Sequence, residues 1–411
     1  MSPKKDIALE LEEIWTLLTN GSMAEARKRI EALGPARIPR EHVGRLGFLI
    51  RRADRPRDAA AYLRRYVYRG GRTLPSATDE EMAEYAMSIG QLGAIPEALS
   101  LLEGVSEERY PNATIHRAML MFSEHRYAES IPILRRLVAR EGVARVLHFS
   151  ARARLAHALA MEEFVKPVDQ REFRVIAQAL LDDPEVTREH GRVRRYALMI
   201  LAWEPLFDRD FSRAIERLEA LRVECESADD HGGLLEAELW LGVARLNRAT
   251  EAQAALGAIG EWETIRISEF YLGLLANDLP LLSRLYLGTP HTAFKLRVGA
   301  VFQSRGLPLP SGAEWRLGQG TAEPLVIEVA NGVRPGSQGY LKEGQVMQRV
   351  FAILASDFYR PLRLAEMHSV LYPGAHYESF SGSERVHRVV RRLRGWFREQ
   401  GLPLTVVEDG G

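Results

Sequence analysis

The stretch SERVHRVVRRLRGWFREQ, residues 383–400, carries six arginines among its eighteen residues. An arginine guanidinium is a planar, permanently charged fork. It can grip two phosphate oxygens at once, or the O6 and N7 edge of guanine. Glu384 is the sole acid among residues 383–398, so the local charge is strongly positive. The whole chain is balanced, with 55 basic and 55 acidic residues over 411 positions. Residues 337–411 hold ten basic residues against eight acidic ones, so the excess is focused on this one segment.

The segment has a second pattern. Val386, Val389, Val390, Leu393, Trp396 and Phe397 recur at three and four residues, as one apolar stripe of a helix must. The arginines occupy the remaining surface. A helix lying in the major groove meets base edges with its amino-terminal half. On that geometry Arg385, His387 and Arg388 face bases or groove, and Arg391, Arg392 and Arg398 face phosphate. Arg394 either joins them or pairs with a carboxylate inside its own domain. A solvated helix face is the competing role for such a run.

The elements that must hold this helix lie around it. GLPLPSGAEWRLGQGTAEP, rich in Gly and Pro, marks a linker at 306–322. PLVIEVANGVRPGSQGYL then alternates apolar and polar residues about Asn331-Gly332, a hairpin signal. GQVMQRVFAILASD and LRLAEMHSVLYP follow as two helices, the second ending at Pro373. After the arginine helix, LPLTVVEDGG is a β-prone run.

This order resembles the winged helix-turn-helix of the OmpR/PhoB-type DNA-binding output domain. VFAILA, Val350 to Ala355, stands where that family has an apolar run in its first helix. ERVHRVVRRLR, Glu384 to Arg394, is similar to its third helix, at Val386 and at Arg391-Arg392-Leu393-Arg394. The resemblance implies a domain over 323–411 that binds double-stranded DNA, with tight binding requiring a homodimer on two half-sites. His387 stands where the family carries an acid, and Glu408 with Asp409 where its wing carries an arginine. Acids there repel phosphate. They favour the alternative of a scaffold in which this domain docks protein instead.

Residues 1–305 read differently. Apolar positions recur at helical spacing almost throughout, and short breaks such as TNGS, RADRPRD, GAIP and FDRD are of a length that joins antiparallel helices. A small residue followed four later by an apolar one returns as Ala26/Ile30, Ala59/Leu63, Ala98/Leu102, Ser130/Leu134, Ala214/Leu218 and Ala252/Leu256. The small residue lets the second helix of a pair approach the first, and the apolar one shares its face. The 84 residues between Ser130 and Ala214 leave room for one more unit, around ARARLAHALA or ALMILAWEP. The pattern resembles the tetratricopeptide repeat family over about residues 7–275, although its Trp-Leu-Gly-Tyr signature is mostly absent. The expected architecture is mostly α: an amino-terminal α-solenoid of helix pairs, then a small α+β winged helix.

Stacked pairs expose extended surfaces suited to a protein or peptide partner. Trp203, Trp240, Trp262 and Tyr271 are the candidate partner-binding aromatics. His190 sits among Arg188, Arg192, Arg194 and Arg195, either a solvated helix edge or a site for an anionic partner. Enzyme signatures are lacking: there is no Walker A loop, Rossmann fingerprint, G-x-S-x-G or H-E-x-x-H. Hence no catalytic residue, metal or cofactor is assigned. The single cysteine, Cys225, excludes an intrachain disulfide framework and a Cys-based zinc site. The start lacks a signal-peptide pattern and no run suits a membrane span. The expectation is a cytoplasmic, non-enzymatic regulator of transcription.

Overall fold

A computed structural model of the chain describes residues 6–19, 22–34, 38–69, 72–124, 126–163, 167–252, 282–283, 286–287, 292–304, 306–311, 341–356 and 362–407. They are mostly helical and divide into two compact units, Met1–Glu251 and Ala252–Gly411.

The first unit is built from successive helix pairs. These are α1 (Ile7–Thr19) with α2 (Met23–Leu33), α3 (Val43–Arg52) with α4 (Pro56–Val67), α5 (Asp79–Gln91) with α6 (Ile95–Glu103), and α7 (Asn112–Ser123) with α8 (Tyr127–Ala139). Next come α9 (Arg145–Glu162) with α10 (Glu172–Leu181), a short α11 (Pro184–Glu189), α12 (Gly191–Phe207) with α13 (Phe211–Ser227), and α14 (His231–Ala252). First helices also touch first helices: α3 meets α5, α5 meets α7, and α7 meets α9. A two-residue antiparallel pair, β1 (Tyr68–Arg69) with β2 (Arg72–Thr73), sits between the second and third pairs.

The repeating small–apolar positions are what hold the pairs together. Ala26, Ala59, Ala98, Ser130 and Ala214 are each 0% exposed, and the apolar partners Leu63, Leu102, Leu134 and Leu218 are equally buried. The unit missing between Ser130 and Ala214 is α9 with α10, whose Ala177 is fully buried. ARARLAHALA is its first helix, while ALMILAWEP belongs to α12, the first helix of the next pair. Ala252/Leu256 continue beyond the described residues of this region.

Local chemistry starts and spaces the helices. Thr78 and Glu81 form a capping box at the start of α5, each side chain bonding the other's backbone N–H. Asp183 and Asp230 cap the starts of α11 and α14 by accepting from Glu185 N and Gly233 N. Gly47 lets α3 approach α4: a Cβ there would stand 2.6 Å from Leu63 Cδ1.

In the second unit, α15 (Thr292–Ser304) is followed by α16 (Val346–Ser356), α17 (Leu364–Leu371) and α18 (Ser381–Glu399). The last three match the three helices expected from the sequence and surround one apolar cluster. Residues 402–407 carry no strand assignment but alternate half-buried and exposed, and Leu402, Leu404 and Val406 lean on that cluster. The expected hairpin about Asn331-Gly332, most of the linker, and the acidic Glu408-Asp409 pair lie outside the described residues.

Candidate nucleic-acid interface

The arginine surface exists because the other face of α18 is fully committed. Val386, Val389, Val390, Leu393, Trp396 and Phe397 are all buried, at 8% exposure or less. They meet Val350 and Phe351 of α16 and Met367 and Leu371 of α17. Phe351 lies edge-on to Phe397, with ring centres 5.1 Å apart and planes at 70°. The helix therefore has one permitted rotation about its axis, and the arginines face out by exclusion.

Its amino-terminal end is anchored as well. Gly382 takes the Tyr377 ring against its backbone, where a Cβ would stand 2.9 Å from Cδ2. Ser383 Oγ donates to the Ser379 carbonyl at 2.8 Å, so Tyr377 O–H donates to Ser383 Oγ, also at 2.8 Å. His368, 1% exposed, lies between the rings of Tyr372 and Tyr377. The loop before α18 is thus tied both to α17 and to the helix start. Glu378 accepts from Ser381 N at 2.7 Å, placing a carboxylate at the positive end of the helix.

Arg385, Arg388, Arg391, Arg392 and Arg398 are exposed, and His387 is half-buried. Arg391 pairs with Glu384 at 2.7 Å on the open surface, an interaction worth at most about 1 kcal/mol. Among the described residues, Arg385, Arg388, Arg392 and Arg398 have no carboxylate partner. Arg394 behaves differently. It is half-buried and its Nε donates to the Val406 carbonyl at 2.9 Å, fastening the extended segment to the helix. That contact suits the structural role that the sequence left open for it.

The candidate aromatics of the first unit have another fate. Trp203 is 0% and Trp240 5% exposed, with ring centres 4.9 Å apart. His157 lies 4.8 Å from Trp203 on another side. Both tryptophans are core and present no surface to a partner. Their spacing along the helices is that of a buried stripe, which a groove residue can share. Trp262 and Tyr271 lie outside the described residues.

Sequence reasoning missed a buried polar network. Glu84 of α5 is 0% exposed, and receives Arg51 Nε of α3 at 2.8 Å, His116 Nε2 of α7 at 2.7 Å and Tyr110 O–H at 2.7 Å. Burial alone would raise the Glu84 carboxyl. The Arg51 guanidinium and the bonds from His116 and Tyr110 hold it far below the usual carboxylate range. Burial lowers His116, with Glu84 opposing. Arg51 and Glu84 are 33 residues apart, and Glu84 and His116 are 32 apart. Three polar residues at the repeat interval were therefore the available signal.

Cys225 is 1% exposed and burial pushes its thiol up to about 11, so it is an inert side chain at neutral pH. Among the described residues, no group of three or more His, Cys, Asp and Glu side chains converges as a metal site. No described helix is long and apolar enough to cross a membrane. No protein-family model, curated protein or solved structure matches the chain.

Proposed function

We propose that the protein is a cytoplasmic, non-enzymatic transcriptional regulator that binds duplex DNA through the arginine face of α18. On this reading α16, α17, α18 and the extended segment after it form a winged helix-turn-helix. The stacked pairs of the first unit form a tetratricopeptide-like solenoid that senses a protein or peptide partner or a signal. One observation carries the reading: four exposed arginines, without carboxylate partners among the described residues, project from a helix whose opposite face is locked into a core. Such a surface neutralises phosphates and releases their counterions. Arg385, Arg388 and His387 lie toward the amino-terminal half, where a groove-inserted helix meets base edges. Arg391, Arg392 and Arg398 then take phosphate, and binding as a homodimer on two half-sites supplies the affinity that one small module lacks.

Gel shifts of the full chain against genomic fragments, over a salt series, test this. Arg388→Ala and Arg392→Ala should each weaken binding, and replacing a phosphate contact should reduce the salt slope by about 1. Wild-type protein that leaves DNA unshifted at low salt would sink the proposal.

A second reading is favoured by exposed apolar side chains near the same helix. Phe380 is 54%, Val370 52% and Val407 73% exposed. They suit a scaffold in which this unit docks protein. In that case Phe380→Ser, rather than Arg388→Ala, abolishes partner capture.

A further inference from the structure

The first unit contains a cavity of about 290 Å³ lined from α1, α3, α7, α9, α12, α13 and α14. Four arginines line it: Arg52, Arg154, Arg192 and Arg195. The acids on its wall are Asp230 and Glu236. Asp230 is already used. It accepts Arg195 Nε at 2.8 Å, lies 3.8 Å from Arg192 Nε, and caps α14 through Gly233 N at 3.2 Å.

Arg52 and Arg154 have no carboxylate partner among the described residues. Each stands beside an aromatic ring instead. The Arg154 guanidinium sits 4.0 Å from the Tyr196 ring centre and that of Arg52 6.0 Å from Trp15. Cation–aromatic contact leaves the planar fork free to bind in its own plane. Burial, followed by the neighbouring charges of Arg192, Arg51 and Arg154, makes the Arg52 guanidinium far less content to stay charged than an isolated one. Burial raises the Glu236 carboxyl, against the pull of Arg154 and Arg192. Gly191 and Arg192, in the first turn of α12, also line the space, and the N-cap His190 makes no side-chain cap there. The N–H groups of that turn add to the positive potential.

Four cationic side chains against two acids leave a surplus of two charges in a space of small-molecule size. We infer that this cavity binds a small organic phosphate monoester, with Arg52 and Arg154 gripping the phosphate oxygens. The monoester dianion matches the surplus and offers three strong acceptor oxygens. Met119, Val146 and Leu221, which also line the cavity, give its organic part apolar surface. Of the two roles open to the basic cluster about His190, Arg192 and Arg195 thereby take the anion-facing one. Arg194 does not share it, since it pairs with Glu224. The inference rests on the sensing half of the proposed function and supplies its ligand class, but it is independent of DNA binding.

Titration calorimetry and thermal melts of the full chain decide it, with inorganic phosphate, adenosine monophosphate and succinate as probes. Saturable binding of adenosine monophosphate that persists at physiological salt, with phosphate weaker and succinate weakest, is the expected result. Neither Arg52→Gln nor Arg154→Gln breaks a direct ion pair among the described residues, and Arg192 still faces Glu236, so both should fold, as circular dichroism will report. Each should weaken binding by about tenfold or more, the worth of one charge-assisted hydrogen bond. No binding to wild type, equal binding to wild type and both variants, or a preference for succinate overturns the inference. Gel shifts on the same variants separate the two proposals, because a protein that shifts DNA yet ignores all three probes loses this inference alone.

Discussion

Glu84 shows how much one buried side chain can hold. Its carboxylate collects Arg51, His116 and Tyr110, so three successive first helices meet on two oxygen atoms. Replacing a buried pair wholesale by apolar residues can be neutral, but removing one partner strands the other. Arg51 is 5% exposed and both its Nε and Nη2 bond Glu84. Glu84→Gln should therefore cost about 3–5 kcal/mol of stability, read as a fall in the urea midpoint. The double variant Glu84→Gln, Arg51→Met should recover a large part of that loss. If both proteins unfold at the wild-type midpoint, the network is incidental. Gly47 makes the opposite point about space. Adding its methyl group drives a Cβ toward Leu63, and Gly47→Ala should cost about 1–3 kcal/mol by overpacking despite alanine's better helix propensity.

Within α18, the buried face should govern stability and the exposed face the proposed DNA binding. Leu393→Ala opens the cluster shared with α16 and α17 and should lower stability by about 2–5 kcal/mol. Arg388→Ala lies on the exposed face and should leave stability within about 0.5 kcal/mol while weakening DNA binding. Thermal melts beside gel shifts on the two variants check both halves, and a stable Leu393→Ala protein would contradict the packing. The division into a buried and an exposed face was legible in the sequence because it is periodic along one helix. The helix pairs were legible for the same reason, from small residues that every pair needs in the same place. What escaped was non-periodic or long-range. The α9–α10 unit showed only as a gap because α9 runs for 18 residues and puts Ala177 47 residues after Ser130 (177−130), whereas the 37 from Ala177 to Ala214 (214−177) match the other pairs. Trp203 and Trp240 look alike in sequence whether they face a groove or a core, and the ring contact at 4.9 Å decides for the core. Arg394 stood out as a candidate for a structural role, but the Val406 carbonyl it meets comes from the returning chain, outside any helical pattern. The cavity arginines come from three helices, with Arg52 and Arg154 about a hundred residues apart, and no local window contains them together.

At the scale of the molecule, the buried histidines make stability depend on pH although acids and bases balance overall. His116 is 5% and His157 8% exposed. Burial lowers both, with Glu84 opposing at His116 and the Arg154 charge reinforcing it at His157. In the unfolded chain each takes a proton near pH 6.5, whereas the folded chain resists until lower pH. The unfolded state then binds more protons, so stability falls as pH drops below about 6.5, by up to about 1.4 kcal/mol per unit for each histidine. The Glu84 carboxyl, held far below its ordinary value, acts in the same direction at lower pH: its contribution is complete above about pH 4.3 and declines beneath it. Acid therefore removes stability in two stages, histidines first and the carboxylate network second. Melting temperatures should drop between pH 7.5 and 5.5 and fall more steeply below pH 4.5. His157→Phe keeps an aromatic ring among Phe122, Tyr127 and Trp203 and removes the proton acceptor, so it should flatten the first stage. A melting temperature that does not change from pH 7.5 to 5.5 would mean that these two imidazoles titrate in the folded chain as they do in the unfolded one.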